Sequence, residues 1–200
     1  MTDVLARPDQ PLPVGSIGYR SSGWWGAILL VISEASIFAY LFFTYFYFSV
    51  QPNALWVPGG PPGFLYSAPQ TVIVLIGCAA AWRANLSASR GEMPRVMLAT
   101  GALIVLAAIF IVLQFLDWQS KPFTLATSTY SSIYFTIGGF HLAHMVAGLL
   151  MFAVLLIWTA LGYFDAVRHV PITVGTLYWY FLAAVWLAVF FVLYITPYLA

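Results

Sequence analysis

Five long apolar segments divide the 200-residue chain, and they constrain its fold more than any other feature. Each is long enough to cross the hydrocarbon core of a bilayer, which takes about 20 helical residues. Charged side chains make up only 6% of the sequence, whereas a soluble domain carries about 25%. The chain has too few charged residues to cover a surface that faces water. We therefore expect these segments to lie in lipid. The predicted spans are residues 23–49, 67–88, 95–117, 130–161 and 172–196.

Helices account for these spans better than strands do. In lipid every backbone polar group must be paired within the protein, so only helices and closed barrels cross a membrane. None of the segments alternates polar and apolar residues with the period of two that a barrel strand requires. We therefore predict an all-α integral membrane protein, with residues 23–200 forming a single five-transmembrane-helix bundle. Residues 1–22 are predicted to form a short cytoplasmic tail.

The basic residues predict how the bundle is oriented. A chain that crosses the membrane five times has its N-terminus, the turn at 89–94 and the loop at 162–171 on the same side. Six of the seven basic residues lie at or near this side. Lys121 alone lies on the other side. Since short loops rich in Lys and Arg stay in the cytoplasm, we expect a cytoplasmic N-terminus and an external C-terminus. Basic residues near the membrane surface attract anionic lipid, and the predicted headgroup contacts are Arg83, Arg90 and Arg95.

Polar side chains within the spans are the candidate functional residues. Glu34 lies near the middle of the first span, where an ionised side chain costs about 2.5–3.5 kcal/mol on insertion scales. His141 lies at similar depth in the fourth span, and His144 follows three residues later on the same helix face. Gln114 and Asp117 end the third span, Asp117 near the outer interface. We predict that these five residues form a buried polar network.

Three roles suit such a network: hydrogen bonding between helices, a proton or lipid-headgroup role, and a metal site. A carboxylate di-metal site uses two Glu-x-x-His pairs and two further glutamates, and this chain has too few carboxylates in its spans. A bis-histidine haem needs ligands on opposing helices, whereas two of the three histidines share one helix. We therefore predict no metal, no cofactor and no catalytic residue here.

The alternative function, of a different class, is a stand-alone membrane enzyme that binds metal through the His–carboxylate cluster.

Nucleic acid is not an expected partner. Seven basic side chains spread along the chain do not form a phosphate-binding patch.

An ordered set of motifs resembles a known family. The strings are ISEASIFAYLFFTYF around Glu34, LQFLDW followed by KPFT at the end of the third span, YSSIYFTIGGFHLAH ending at His144, and LYWYFLAAVW in the last span. Together, over about residues 24–196, they are similar to subunit III of the haem–copper oxidases. Glu34 matches the family's buried glutamate. His141 and His144 match its F-H-x-x-H element, and Asp117 stands where the family usually has glutamate.

The resemblance implies the short, five-helix form of this subunit. It implies an accessory subunit without metal or haem, part of a proton-pumping terminal respiratory oxidase that reduces O₂ to water. The implied partners are subunit I, which holds haems and copper, the copper-containing subunit II and other oxidase subunits, and bound phospholipids. Implied roles are to stabilise subunit I and to support proton uptake. The expected location is the inner membrane of a bacterial cell.

The last span departs from the family pattern. The family usually reads W-H-F-V-D, but here Trp179 is followed by Tyr180, and Ala183 stands at the aspartate position. Two buried polar groups are therefore missing. This difference leaves open an equivalent subunit of a quinol oxidase or a nitric oxide reductase.

Overall fold

The computed structural model describes residues 22–51 and 56–199, and the regular structure in these ranges is entirely helical. Five helices are long and apolar enough to cross a membrane. The five-helix, all-α prediction is thus confirmed, and the spans begin and end within two residues of the predicted bounds. The helices are α1 Ser22–Ser49, α2 Ser67–Ser89, α3 Met93–Gln119, α4 Thr129–Ala160 and α5 Val170–Phe190. Except for Ser22, the predicted tail lies outside the described residues.

The fifth span differs from the prediction of one uninterrupted α-helix. Its α-helical part ends at Phe190, a π-helical turn covers Phe191–Ile195, and a 3₁₀ turn covers Thr196–Tyr198. Pro197 within the 3₁₀ turn has no backbone N–H to continue an α-helical ladder. The π turn contains Tyr194, which is buried and takes part in one of the polar clusters described below.

Local signals explain where the helices begin. At the start of α4, the side-chain hydroxyl of Ser128 accepts a hydrogen bond from the backbone N–H of Ser131. The side-chain hydroxyl of Ser131 accepts one from the backbone N–H of Ser128. This capping box satisfies two donors that the first turn of a helix leaves free. Both α3 and α5 begin with proline in the first turn, where its missing N–H costs nothing. Gly91 makes the tight α2–α3 turn with a positive φ of 73°.

Four of the helices enclose the core, and α1 lies at its side. Helix α2 packs against α3 and α5, and α4 packs against the same two helices, which closes a ring. Helix α1 contacts α4 and α5 and buries only Phe38 and Tyr45 among its 28 residues. Most of α1 is therefore available to lipid or to another protein.

A glycine allows α2 and α5 to approach closely. The indole of Trp179 lies directly on Gly77, so that a Cβ added at Gly77 would stand 2.0 Å from the ring. The indole N–H donates to the carbonyl of Val74, one turn earlier, at 3.2 Å. Small residues serve the same purpose at many helix interfaces in membranes.

We predict that Gly77→Ala destabilises the bundle, because the new methyl group must displace a buried tryptophan. Overpacking of this kind costs about 1–3 kcal/mol. Thermal unfolding of the purified protein in detergent would measure the loss. Gly101→Ala in α3 is the matched control, since a Cβ there meets no atom within 4 Å. Equal stability of the two variants would contradict the close contact.

Candidate functional site

Glu34 of α1 and His144 of α4 form an ion pair across the interface between these helices. Oε2 of Glu34 lies 3.0 Å from Nε2 of His144, and the side chains are 26% and 14% exposed. The other ring nitrogen, Nδ1, lies 2.7 Å from the carbonyl oxygen of Phe140. The rings of Phe38 and Phe181 pack against the imidazole. This contact joins two of the five residues of the predicted network, and Glu34 is partly exposed in it.

The hydrogen bonds of His144 determine how many protons the pair holds. A carbonyl oxygen can only accept, so Nδ1 of His144 carries a hydrogen and donates it to Phe140. A bond between Nε2 and the Glu34 carboxylate then requires one further proton. Whether this proton lies on the imidazole or on the carboxylate, the pair is neutral overall. A neutral pair avoids the desolvation penalty that a lone charge would meet in hydrocarbon.

The pair borders a groove between α1, α4 and α5. The groove is about 320 Å³ in volume and is lined by Leu30, Glu34, Ala143, His144, Ala147 and Tyr178. The Tyr178 hydroxyl donates to the backbone carbonyl of His144 at 3.1 Å, which fixes the wall of the groove. Glu34 and His144 are therefore accessible from the side of the groove.

His141 belongs to a different environment, although it lies only three residues before His144. It is fully buried, and Nε2 donates to the carbonyl oxygen of Leu182 on α5 at 3.2 Å. The rings of Phe110 and Trp186 pack against the imidazole and also contact each other edge to face. The expectation that both histidines act from one helix face is therefore wrong, because residues three apart still differ by about 60° around the helix. His141 faces the core, and His144 faces α1.

Asp117 and Gln114 form two further clusters away from Glu34. Asp117 accepts hydrogen bonds from the hydroxyls of Tyr134 and Tyr194, the latter at 2.8 Å. The ammonium of Lys121 lies 2.9 Å from the other carboxylate oxygen. The side-chain amides of Gln114 and Gln70 lie 3.1 Å apart. The five predicted residues thus occupy separate sites and do not form one network.

Sequence reasoning missed three members of the Asp117 cluster. These are Lys121, Tyr134 and Tyr194, none of which was among the residues predicted for the polar network. One signal was available, because Lys121 follows Asp117 by four residues and such pairs interact along a helix. The tyrosines carry no comparable signal, since they lie 17 and 77 residues away in sequence.

The predicted headgroup residues lie at the end of the bundle opposite Lys121, here called the Arg end. Arg83, Arg90 and Arg95 are exposed there, and Arg95 also pairs with Glu92 at 2.7 Å. Arg168 lies in the α4–α5 loop and is buried against Asp165, with 2.9 Å between Nε and Oδ2.

Asp165 organises this loop. Burial acts to raise its pKa, but the backbone N–H groups of Arg168 and Val167 and the guanidinium of Arg168 outweigh that effect and hold the pKa below its ordinary value. Both N–H bonds to Oδ1 measure 2.8 Å.

Comparison with known proteins identifies the family. The family model for cytochrome c oxidase subunit III matches residues 19–198. The chain belongs to the cytochrome c oxidase subunit III family. The resemblance in its motifs is thereby confirmed, and the chain is a multi-pass membrane protein and a subunit III of a terminal oxidase.

Curated relatives named cytochrome c oxidase subunit 3 agree with this assignment. The chain is 29% identical over 178 residues to the protein of Arabidopsis thaliana and 30% identical over 178 residues to that of Triticum aestivum. It is 30% identical over 175 residues to the protein of Artemia franciscana. Each match covers 85% of this chain and 67% of the relative.

Metal ligation was also considered for the described residues. Within residues 22–51 and 56–199, no three or more His, Cys, Asp or Glu side chains are grouped closely enough to hold a metal ion.

We predict that Glu34 and His144 are energetically coupled. In a double-mutant cycle of Glu34→Ala and His144→Ala, the coupling should be about 0.6–1.7 kcal/mol, the range measured for hydrogen bonds between membrane helices. Unfolding of the protein in detergent would supply the four free energies. The cycle of Glu34→Ala with His141→Ala is the control and should be additive, because these two side chains are not in contact. Equal coupling in both cycles would contradict the pairing.

We also predict a pH-dependent contribution from Asp165. Because its pKa is lowered on folding, the carboxylate stabilises the loop above the unfolded-state pKa of about 4, and this stability is lost as the pH falls through the folded-state value. Asp165→Asn should therefore be less stable than the wild type at pH 7, and the difference should shrink below about pH 4. Thermal unfolding across this pH range would measure it. A difference that does not change with pH would contradict the electrostatic origin.

Proposed function

We propose that this chain is an accessory, non-redox subunit of a proton-pumping cytochrome c oxidase that reduces O₂ to water. Its own part is to stabilise the catalytic subunits, to bind lipid and to support proton uptake. The observation that carries the proposal is the Glu34–His144 pair, which joins α1 to α4 and borders a groove. No residue of this chain is assigned a catalytic role.

Family membership supports a complex with other oxidase subunits. We propose that subunit I, with its haems and copper, is the main contact, and that the copper-containing subunit II and other oxidase subunits complete the complex. Helix α1 is the best candidate for a contact surface, since only Phe38 and Tyr45 among its 28 residues are buried in the isolated chain. The histidines of the described bundle support a role without redox cofactors, because His141 and His144 are directed to different neighbours.

The proposed location is the inner membrane of a bacterial cell, with the N-terminus in the cytoplasm. Arg90, Arg95 and Arg168 lie at the Arg end, and short segments rich in arginine stay on the cytoplasmic side. Phospholipid headgroups would contact the exposed Arg83, Arg90 and Arg95, each contributing about 1 kcal/mol toward an anionic surface.

A second candidate function is the equivalent subunit of a quinol oxidase or nitric oxide reductase. Tyr180 and Ala183 favour it, since they replace the family's usual histidine and aspartate. Tyr180 is 38% exposed and Ala183 is buried, so neither restores a buried polar pair. Purification from native membranes separates the candidates. A partner with haem and copper supports an oxidase, and a partner with non-haem iron supports the reductase.

We predict that Glu34→Gln leaves the haem spectrum of the assembled oxidase unchanged but slows proton uptake during turnover. The amide cannot hold the shared proton, and this chain supplies no haem ligand. Optical spectra of the purified complex and proton uptake in proteoliposomes would be measured together.

Glu92→Gln is the matched control, because it removes a carboxylate from the Arg end without touching the pair. It should match the wild type in both measurements. A shifted haem spectrum in Glu34→Gln would refute the accessory role, and unaltered proton uptake would refute the part assigned to the pair.

A further inference from the structure

Two neighbouring grooves lie between α1 and the helices α4 and α5. The first, of about 320 Å³, is the one that the Glu34–His144 pair borders. The second, of about 260 Å³, has walls that are almost entirely apolar. The two grooves have three lining residues in common and so form one continuous cleft, here called the α1 cleft. The shared residues are Leu30, Ala147 and Tyr178. A cleft of this size can hold a small organic ligand, since such pockets are commonly about 300–1,000 Å³.

The α1 cleft reaches the middle of the membrane. Glu34 and His144 lie close to the midpoints of α1, which has 28 residues, and α4, which has 32. The phosphate of a phospholipid lies at the surface of the hydrocarbon core, about 15 Å from its midplane. A phospholipid can therefore place only its hydrocarbon chains beside this pair. A polar group that binds there must belong to a molecule that is itself dissolved in the hydrocarbon.

Among the described residues, three polar side chains line the α1 cleft, and their unused atoms are hydrogen-bond acceptors. Both ring nitrogens of His144 are engaged, by Glu34 and by the carbonyl of Phe140. Tyr178 donates its hydroxyl hydrogen to the His144 carbonyl, which leaves only the lone pairs of its oxygen. Glu34 contacts His144 through Oε2, and its Oε1 has no hydrogen-bond partner in the described part of the chain. A ligand in the cleft must therefore donate hydrogen bonds.

The ligand must also be uncharged. The Glu34–His144 pair is neutral overall, so a cationic donor would bring an uncompensated charge into the hydrocarbon, which is costly. A hydroxyl group donates a hydrogen bond without a charge. If an aromatic ring carries that hydroxyl, the ring of Tyr178 lies in the same cleft to pack against it, and aromatic pairs add to the binding that buried area supplies.

We propose that the α1 cleft binds an isoprenoid quinol, with one ring hydroxyl donating to Oε1 of Glu34. A quinol carries its hydroxyl groups on an apolar ring and dissolves in the hydrocarbon interior, so it meets each condition that the cleft sets. The isoprenoid chain lies along the apolar part of the cleft. The dimethyl ether of the same quinol keeps the ring but has lost both donors, so it binds more weakly. The quinol is bound unreacted, and no electron transfer is assigned to this cleft.

Quinol binding is independent of the part assigned to the pair in proton uptake, because hydrogen bonding and packing alone hold the ligand. It also differs from the binding of phospholipid headgroups at the Arg end, which takes place at the membrane surface.

Titration of the purified, delipidated oxidase complex tests this binding site. Decylubiquinol would be added to the fully reduced complex without oxygen, so that it is not consumed, and the number bound per complex would be read by native mass spectrometry. Its dimethyl ether would be titrated in parallel. We expect the wild type to bind the quinol at least about tenfold more tightly than the ether, the scale of one hydrogen bond to a charged group.

Ala147→Phe tests where the quinol binds. Ala147 is exposed and lines both grooves, so a phenyl group there should fill the cleft and remove one bound quinol per complex. Val146→Phe is the matched control, because Val146 is the neighbouring residue, is also exposed and does not line the cleft. It should bind quinol as the wild type does. A quinol site on another subunit would be unaffected by either substitution.

Glu34→Ala tests the hydrogen bond itself. Without the carboxylate, the complex should bind the quinol and its ether with the same affinity. The haem content of each purified variant would report whether the complex has assembled, and Ala147→Phe decides the question even if Glu34→Ala does not assemble. Equal affinity of the wild type for quinol and ether would overturn the proposal, since the cleft would then accept any apolar molecule. An unchanged number of bound quinols in Ala147→Phe would overturn it as well.

Discussion

Polar side chains within a lipid bilayer must find partners inside the protein, because hydrocarbon offers them none. The arrangement of this bundle follows from that constraint. Glu34 is neutralised by His144, Gln70 is paired with Gln114, and Asp117 is surrounded by donors. Each contact joins two different helices. The polar groups thereby contribute to the register between helices, while apolar side chains make up most of the buried core.

The separate clusters allow the two ends and the middle of the bundle to serve different purposes. The Glu34–His144 pair lies where α1 joins the other helices, and it borders a groove. His141 is enclosed by aromatic rings and fixes α4 to α5. A histidine that is partly exposed and paired with a carboxylate is suited to proton transfer. A histidine that is fully buried among apolar side chains is suited to packing. Two histidines one turn apart thus have different roles.

The end of α5 shows how a local irregularity builds a site. The π turn at Phe191–Ile195 interrupts the regular helix and contains Tyr194, whose hydroxyl reaches Asp117 on α3. Such turns occur frequently at functional sites in other proteins. Here the turn helps to complete the cluster of Tyr134, Tyr194 and Lys121 around Asp117. The ion pair, the tyrosines and the two loops form one structural unit at that end.

The five spans, their approximate bounds and the family could be read from the sequence, since hydropathy over about 20 residues and the order of motifs are properties of the chain alone. The sequence placed Glu34 at the depth of His141, with His144 three residues further on, and the structure pairs Glu34 with His144. Only the tertiary structure separated His141 from His144 and brought Tyr134 and Tyr194 to Asp117. Side chains from residues up to 110 positions apart meet in these clusters. Their partners depend on how each helix is rotated against its neighbours, and close packing of all five helices sets that rotation.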